Sequence, residues 1–383
     1  MAHFSLPAHT FIGDKALEES ISYLSEFGKK PLIVSGPHVG KSPMMEELIK
    51  TLKQNDFDYS VYMDISSEPT DEMIEAGYSK YKQDGCDFLI GIGGGSPLDS
   101  AKAIAAKAVI SGEFFEYMGK EIKGDIPKIV AIPTTAGTGS EATKFTIITD
   151  TKRKVKMLLK GDCLVPDVAI LNPSFTIDTP ISVTVATGLD ALTHAIEAYT
   201  SKKASYLTDT YAISAVKRIM TYLPTVIDNG YDLKAREQMS LAAYEAGVCI
   251  NNSSVTIVHG MSRPIGALFH VPHGLSNAML LGKCLEFALD GAYERFADLG
   301  RAISAADTSD SDENASKKFL SAVNKLLEIC EVPTPEKYGI KKDDFLAVVE
   351  KMSEDAIASG SPANTQKAVT AEDCRKIYCS LYA

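Results

Sequence analysis

The sequence predicts an α/β fold in which an N-terminal α/β domain, residues 1–175, precedes an all-helical domain, residues 176–383. Three observations support this prediction. Short β-branched runs alternate with amphipathic segments in the first part, which is typical of a parallel sheet covered by helices. Strand candidates disappear after about Pro173, and helical spacing of apolar residues takes over. The 383 residues also allow about two domains at roughly 150 residues each.

Apolar runs and the helical faces between them define the predicted elements. The strands of the first domain are predicted at Leu32–Val34, Tyr59–Met63, Phe88–Ile92 and Ile129–Ile132. One helical face ends before a glycine and consists of Leu17, Ile21, Leu24 and Phe27; a second consists of Met45, Leu48 and Leu52. In the second domain, residues 207–223 and 319–330 have helical spacing, and the polar run Thr308–Ser316 predicts an exposed loop.

Charge and composition exclude several classes of protein. With 39 Lys and Arg against 50 Asp and Glu, the net charge is −11, which provides no basic surface for nucleic acid. The start of the chain lacks a signal-peptide pattern, and no stretch approaches the roughly 18 apolar residues of a membrane span. Seven scattered cysteines are typical of reduced core residues rather than of a disulfide or zinc framework. We therefore expect a cytoplasmic protein that binds neither nucleic acid nor membranes.

A glycine-rich junction in FLIGIGGGSPLDSAKAIA is the first candidate binding site. The apolar strand runs through glycines 93–95 into a helix predicted to start near Ser96 and Pro97. Ser96 suits the N-cap, and Asp99 suits the third helical position, where a carboxylate favours the helix dipole. Glycines allow an anion to approach the unpaired N–H groups of the helix, so phosphate binding is predicted. A plain glycine turn with a good cap is the alternative.

A second turn, AIPTTAGTGSEAT, follows the next predicted strand and strengthens this interpretation. It carries the hydroxyl groups of Thr134, Thr135 and Thr138 beside two glycines. Two such turns after neighbouring parallel strands form one crevice at the carboxyl ends of the strands, where open α/β sheets bind ligands. A nucleotide is therefore predicted there.

A third glycine-containing segment, SGPHVGKS, is similar to the ATP-binding G-x-x-x-x-G-K-S loop but is one residue too short. Gly36 and Gly40 enclose three residues where the motif has four. Closure of the backbone around a phosphate depends on that length, so an ATPase or kinase is disfavoured.

Four residues of the second domain have the chemistry of a metal site. Asp190 and His194 are four residues apart and would share one face of a helix, and His259 and His273 follow in VHGMSRPIGALFHVPHG. Asp190 and His194 stand among apolar residues, where an unpaired charge would be costly, so we expect partners. A surface pair that binds nothing is the alternative. One carboxylate and up to three imidazoles suit iron(II) or zinc and exclude a magnesium-type site.

Four ordered segments together resemble the iron-containing alcohol dehydrogenase family: GGGSPLDSAKAIA, PTTAGTGSEAT, GLDALTHAIEAY and VHGMSRPIGALFHVPHG. The resemblance implies a Rossmann-like dinucleotide-binding domain followed by a helical metal-binding domain, a fold shared with dehydroquinate synthase, and an active site in the cleft between them. It also implies an NAD(P)H-linked, metal-dependent conversion of small primary alcohols and aldehydes by a homodimer. A lyase similar to dehydroquinate synthase, which uses bound NAD transiently, is the alternative.

The resemblance assigns roles to individual residues. The metal ligands it implies are Asp190, His194, His259 and His273, which leaves His270 outside the ligand set. The pyrophosphate would lie against Gly94, Gly95 and Ser96. The cofactor would be lined by Thr134, Thr135, Thr138 and Lys156. Asp99 would lie near the nicotinamide as a cofactor-binding and candidate catalytic residue. A solvated lysine in a basic loop is the alternative for Lys156.

Two residues depart from the family pattern. Many relatives carry an aspartate at the position of Gly36, which would repel a 2′-phosphate. Its absence, with Ser35 and Lys41 nearby, favours acceptance of NADPH, although Gly36 could serve only as a turn residue. Many relatives also carry a proton-relaying histidine at the position of Arg263, a role that a permanently charged arginine cannot perform.

Two consequences of this second departure are predicted. His270 or a water chain could take over the relay. Alternatively, Arg263 could bind a carboxylate or sulfonate of a small acidic aldehyde. A structural ion pair between Arg263 and a helix carboxylate is the competing interpretation.

Overall fold

A six-stranded parallel sheet forms the centre of the N-terminal unit in this computed structural model, which describes residues 3–382. The chain forms two compact units, one extending to Thr179 and the other beginning at Pro180. The sheet strands are β1 (His9–Ile12), β2 (Pro31–Val34), β3 (Ser60–Tyr62), β4 (Phe88–Gly93), β5 (Ile129–Pro133) and β8 (Val168–Leu171). An antiparallel hairpin, β6 (Phe145–Asp150) and β7 (Val155–Lys160), lies outside the sheet.

Four helices cover the two faces of the sheet: α1 (Ala16–Phe27), α2 (Pro43–Gln54), α3 (Asp71–Gln83) and α4 (Gly95–Ala106). Successive residues of a strand point to opposite faces, so Ile33 packs with Leu17 and Leu48 of α1 and α2. Its neighbour Leu32 packs in the second core cluster with Ile74 of α3. The predicted α/β architecture, a parallel sheet covered by helices, is confirmed.

The order of the strands in the sheet is β1-β8-β5-β4-β2-β3. From β2 the chain runs outward to β3 and then returns to the other side of β2, where β4, β5 and β8 follow. The direction of winding therefore reverses between β2 and β4. Ligands of open α/β sheets bind at such a switch point, beside the carboxyl ends of the strands.

All four predicted strands are present within two residues of their predicted ends, but the prediction missed four others. The edge strand β1 is a short, partly exposed run. Strand β8 has the same length and full burial as the predicted β2, so neither property explains why it was missed. The hairpin strands alternate buried with more exposed residues. Partly exposed or amphipathic strands such as β1, β6 and β7 give a weaker sequence signal than the fully buried β2, β4 and β5.

The C-terminal unit is helical, as predicted, and within residues 180–382 the structure has only an isolated bridge between Ser201 and Thr365. Its helices are α5 (Ile181–Thr200), α6 (Tyr206–Asp228), α7 (Leu233–Asn252), α8 (Ile257–Phe269), α9 (His273–Ala288), α10 (Tyr293–Ala302), α11 (Asp312–Ile329), α12 (Pro335–Tyr338), α13 (Lys342–Leu346), α14 (Val349–Ala358) and α15 (Ala371–Ser380). Helix α5 packs against α6, α7 and α9, and α8 packs against α9. In the described part of the chain no helix is both long and apolar enough to span a membrane.

The loop predicted at Thr308–Ser316 is shorter than expected. Helix α11 begins at Asp312, and the Ser311 hydroxyl accepts a hydrogen bond from the backbone N–H of Asn314. The polar residues after Ser311 therefore form the first turn of a capped helix, a position that favours serine and acidic residues.

Candidate cofactor and metal sites

The glycine-rich junction connects β4 directly to α4. Gly93 has a φ of +147°, and a Cβ atom there would lie 2.6 Å from Cγ of Pro97, so this position requires glycine. The N-cap is Gly94, and the helix begins at Gly95. The predicted cap at Ser96 is wrong by two residues, because Ser96 and Pro97 already lie in the first helical turn, where backbone N–H groups have no helical partner.

The second turn lies directly against the first, as predicted from the order of the strands. Strands β4 and β5 are parallel neighbours, and the N–H of Thr134 donates to the carbonyl of Gly93 over 2.9 Å. A Cβ atom on Gly95 would lie 2.9 Å from Cγ2 of Thr138, whereas one on Gly94 would meet only Thr135, at 3.5 Å. Of these two glycines, Gly94 is therefore the one at which a methyl group would meet only an ordinary contact.

The residues after β2 lie at the switch point of the sheet. A Cβ atom on Gly36 would lie 2.8 Å from the carbonyl oxygen of Ile65, so this backbone leaves no room for an aspartate side chain. Ser35 is fully buried, and its hydroxyl donates to the carbonyl of Ile92 over 3.0 Å. The expectation that Ser35 could assist a 2′-phosphate is wrong, because its side chain points into the fold. Lys41 is exposed.

Asp99 connects α4 to the second turn and to the hairpin. Its Oδ1 accepts a hydrogen bond from the Ser140 hydroxyl at 2.6 Å, and its Oδ2 accepts one from the Ile147 N–H at 2.9 Å. Burial raises the pKa of Asp99, while Lys102 and these hydrogen bonds oppose the shift. Both carboxylate oxygens are engaged by the fold, which favours a positioning role; a catalytic Asp99 stays a prediction.

Two buried charged residues behind the turn were missed by the sequence analysis. The ammonium group of Lys102 donates to the carbonyl groups of Thr143 and Phe145 at 2.7 and 3.0 Å. Desolvation lowers the pKa of Lys102 to about 8, and burial raises the pKa of Glu141 to about 7. A lysine within the otherwise apolar segment SAKAIA was the available signal for Lys102.

Lys156 lies on β7 rather than in a loop. Its Nζ lies 2.6 Å from Oε1 of Glu68, and both side chains are at least half exposed. Its role beside the cofactor stays a prediction.

The four predicted metal ligands come together in the C-terminal unit. Asp190 and His194 lie on α5, His259 lies on α8, and His273 is the first residue of α9. One donor atom from each lies within 4.8 Å of the others. Oδ1 of Asp190 is 3.8, 3.5 and 3.6 Å from the Nε2 atoms of His194, His259 and His273, in that order.

The burial of this cluster argues against an incidental surface pair. The side chains of Asp190, His194 and His259 are at most 7% exposed, whereas His273 is half exposed. Gly274 makes the arrangement possible, because a Cβ atom there would overlap the carbonyl oxygen of Ala186 on α5. This close approach of α9 to α5 places His273 beside Asp190.

The charges within the cluster are strongly coupled. Burial raises the pKa of Asp190, but the neighbouring imidazoles outweigh it and lower that pKa well below its ordinary value. Burial disfavours protonation of His259, but Glu197 and Asp190 raise its pKa to about 9. The pKa of His273 is lowered, because its ring is partly desolvated and lies near other positively charged groups.

Glu197 orients His259 and was missed by the sequence analysis. Its Oε2 lies 2.5 Å from Nδ1 of His259, and its Oε1 accepts hydrogen bonds from the Thr256 hydroxyl and the Val258 N–H, both at 2.7 Å. This arrangement leaves Nε2 of His259 facing Asp190. Its position three residues after His194 was the available signal, because both then share a face of α5 with Asp190.

Arg263 and His270 lie on the same stretch of chain as the cluster. Nη1 of Arg263 donates to the Ser361 hydroxyl over 3.0 Å, and among residues 3–382 no carboxylate lies within ion-pair distance of the guanidinium group. The predicted structural ion pair is therefore wrong. The positive charge of Arg263 nevertheless helps to lower the pKa of His273. His270 ends α8 in the left-handed conformation and is exposed; its catalytic role stays a prediction.

The donor set fits a metal ion on chemical grounds. A carboxylate buried among three imidazole nitrogens supplies both the charge and the nitrogen donors that iron(II) and zinc prefer. The carboxylate–histidine pair of Glu197 and His259 is the arrangement that commonly fixes a metal-binding imidazole.

Comparison with known proteins identifies the family. Residues 7–173 match the family model described as iron-containing alcohol dehydrogenase. Residues 184–382 match the model described as Fe-containing alcohol dehydrogenase family, C-terminal.

Individual relatives match over nearly their whole length. The chain is 34% identical to the NAD-dependent methanol dehydrogenase of Bacillus methanolicus, over 98% of this chain and 99% of that protein. It is 33% identical to the 1,3-propanediol dehydrogenase of Klebsiella pneumoniae, over 94% of this chain and 95% of that protein.

Solved structures agree with these matches. A crystal structure of 1,3-propanediol oxidoreductase covers 100% of both chains with a TM-score of 0.95 and 30% identity. An alcohol dehydrogenase from Oenococcus oeni also covers 100% of both chains, with a TM-score of 0.95 and 29% identity. These relatives are dehydrogenases and oxidoreductases, so the lyase alternative is not favoured. The chain belongs to the iron-containing alcohol dehydrogenase family and is an oxidoreductase that acts on alcohols and aldehydes.

Proposed function

We propose that the chain is a metal-dependent, NAD(P)-linked enzyme that interconverts a small primary alcohol and its aldehyde, with the metal held by Asp190, His194, His259 and His273. The observation that carries this proposal is the convergence of these four donor atoms within 4.8 Å. Iron(II) is the ion that we favour, because the family is described as iron-containing. Zinc also suits the donors.

The mechanism depends on how the chain's residues hold the reactants. A divalent ion held by these four residues would supply Lewis-acid polarisation of the carbonyl oxygen, and a bound nicotinamide cofactor would supply the hydride. The Asp190 carboxylate would offset the positive charge of the bound ion. Glu197 keeps Nε2 of His259 facing the donor cluster. The burial of three ligands excludes water from most of the cluster.

The cofactor proposal concerns the turns after β4 and β5. Gly94, Gly95 and Ser96 would present free backbone N–H groups to a pyrophosphate, and Thr135 and Thr138 would line it. Two features support acceptance of NADPH as well as NADH. The side chain of Lys41 is exposed near the end of β2, and the Gly36 backbone leaves no space for a repelling carboxylate.

A small acidic aldehyde is the second candidate substrate, and Arg263 favours it. This arginine lies one helical turn after His259. Among residues 3–382 no carboxylate lies within ion-pair distance of its guanidinium group, and Glu197 attracts it only over a longer distance. A guanidinium group binds carboxylates and sulfonates through paired, charge-assisted hydrogen bonds. A homodimer and a cytoplasmic location, both expected from the sequence analysis, remain predictions.

The test is anaerobic oxidation of NADH and NADPH by iron(II)- or zinc-loaded protein, with short neutral aldehydes and with succinate semialdehyde or sulfoacetaldehyde. We expect cofactor oxidation to disappear in the His259→Ala variant. If the substrate is acidic, Arg263→Ala should raise KM for acidic aldehydes by about 10–100-fold, as expected for loss of a hydrogen bond to a charged group. It should leave KM for neutral aldehydes unchanged.

Arg375→Ala is the matched control, because Arg375 is an exposed arginine of the same unit that pairs with Glu372. No oxidation of either cofactor with either metal would contradict the proposed function. Equal effects of Arg263→Ala on neutral and acidic aldehydes would contradict only the acidic substrate.

A further inference from the structure

Within residues 3–382, the side-chain amide of Asn277 makes polar contacts only with predicted metal ligands. It is fully buried on α9, one helical turn after His273. Its Nδ2 lies 2.7 Å from Oδ1 of Asp190, 3.1 Å from Nε2 of His259 and 3.3 Å from Nε2 of His273. Its Oδ1 is buried and has no hydrogen-bond partner within residues 3–382.

This pattern is not what packing alone would select. A buried amide whose oxygen lacks a partner is less favourable than an apolar side chain of similar size, such as leucine. The contact of the Asn277 amide with the donor cluster compensates for this unpaired oxygen. Of the three distances from Nδ2 of Asn277, the shortest is that to Oδ1 of Asp190.

The three contacts differ in whether they can coexist with a bound ion. A carboxylate oxygen has two lone pairs and can accept a hydrogen bond while it binds a metal. The Nε2 atom of an imidazole has a single lone pair and cannot do both. The hydrogen bond from Asn277 to Asp190 is therefore the one that remains compatible with metal binding.

We propose that Asn277 is a positioning residue of the metal site, which fixes the orientation of the Asp190 carboxylate by donating a hydrogen bond to Oδ1. This inference rests on the proposed function, because it requires that Asp190 binds a metal. Ligating carboxylates are commonly held by such hydrogen bonds, and loss of an outer partner typically lowers metal affinity by about 10–100-fold.

The test measures zinc affinity by competition with a chromophoric chelator and records the visible spectrum of the cobalt(II)-loaded protein. The variants are Asn277→Leu and Asn277→Ala, which both lack a donor but differ in size. We expect both to bind zinc about 10–100-fold more weakly than the unmodified protein and to show an altered cobalt spectrum. Thermal unfolding in chelator verifies that each variant is folded.

Ser276→Ala is the matched control, because the buried Ser276 hydroxyl on the same helix donates to the His273 carbonyl and, within residues 3–382, forms no hydrogen bond with a donor atom of the cluster. It should keep zinc affinity within about twofold, below the effect of outer-partner loss. Unchanged or increased affinity in a folded Leu or Ala variant would overturn the role of Asn277. Failure of the unmodified protein to bind any metal would instead overturn the proposed function, and this inference with it.

Discussion

The two candidate sites are built from different parts of the chain. The turn after β4 offers backbone N–H groups, and its key position, Gly94, matters because it lacks a side chain. The cluster on α5, α8 and α9 consists of side-chain donors that converge on Asp190. Ligand binding by backbone N–H groups is weakened when a substitution adds side-chain atoms in front of them. Ligand binding by side chains is weakened when a substitution removes the donor atoms. We therefore expect substitutions at the two sites to affect different measurements.

Removal of the central carboxylate should have the largest effect. Asp190→Ala leaves three imidazoles without the charge that their Nε2 atoms surround at 3.5–3.8 Å. We expect metal affinity to fall by more than about 100-fold, beyond the range for outer partners, and activity to disappear. Cofactor affinity, measured by fluorescence titration with NADH, should not change.

The control is Asp290→Ala, which removes an exposed carboxylate of the same unit. Retention of stoichiometric metal by a folded Asp190→Ala protein would mean that the cluster is not the metal site.

Loss of the carboxylate behind His259 should have the next largest effect. In Glu197→Gln, the amide NH2 can donate to Nδ1 of His259 and thereby place the ring hydrogen on Nε2, which must be free to bind an ion. We expect zinc affinity to fall by about 10–100-fold while the four ligands remain in place. Chelator competition measures this change, with the exposed Glu286→Gln variant as the control. Equal affinities for Glu197→Gln and the unmodified protein would restrict Glu197 to a structural role.

A methyl group added at Gly94 should weaken cofactor binding and leave metal binding unchanged. Ala can adopt the φ of −73° at Gly94, and its Cβ would meet only Thr135 at an ordinary contact distance of 3.5 Å. The fold should tolerate Gly94→Ala, but the methyl group would occupy space that a pyrophosphate needs. We expect Kd for NADH to rise about tenfold, which corresponds to about 1.4 kcal/mol, with zinc affinity unchanged. Unchanged NADH binding would show that the cofactor does not bind at this turn.

The smallest predicted effect concerns pH and the charges behind the turn. Burial raises the pKa of Glu141 to about 7, above its ordinary 4.5. The neutral carboxyl therefore contributes stability that is fully present below pH 4.5 and is lost as pH rises through 7. Glu141→Gln stays neutral, so between these pH values the unmodified protein should lose up to about 3 kcal/mol relative to this variant. Urea unfolding of both proteins at pH 5 and pH 8 measures the difference; parallel pH profiles would contradict it.

The sequence predicted the side-chain site more completely than the backbone site. The metal-site residues could be recognised from residue type, because carboxylate and imidazole side chains carry the atoms that bind a metal. They are Asp190, His194, His259 and His273. For the turn, the glycines indicated a close approach, but the start of α4 was placed too late. Which backbone group caps a helix depends on local geometry that residue types only partly determine.

The residues that the sequence did not reveal act through distant contacts. Glu197 shares a face of α5 with Asp190 and His194, but only the packing of α8 against the cluster brings His259 to it. Asn277 likewise meets Asp190 only because α9 packs against α5. The prediction for Ser35 was wrong in the opposite sense. Its position after β2 suggested a contact with the ligand, but its hydroxyl is buried in the fold. Tertiary packing decides in both cases, and a single sequence does not encode it in a local pattern.

A metal titration of activity tests most directly whether the Asp190 cluster holds a catalytic ion. Protein stripped with a chelator would receive increasing iron(II) or zinc under anaerobic conditions, and aldehyde-dependent NADH or NADPH oxidation would be followed together with bound metal. We expect activity to be absent without metal, to rise in proportion to bound metal, and to saturate at one ion per chain. Full activity in the stripped protein, or activity that does not follow the bound metal, would contradict this expectation.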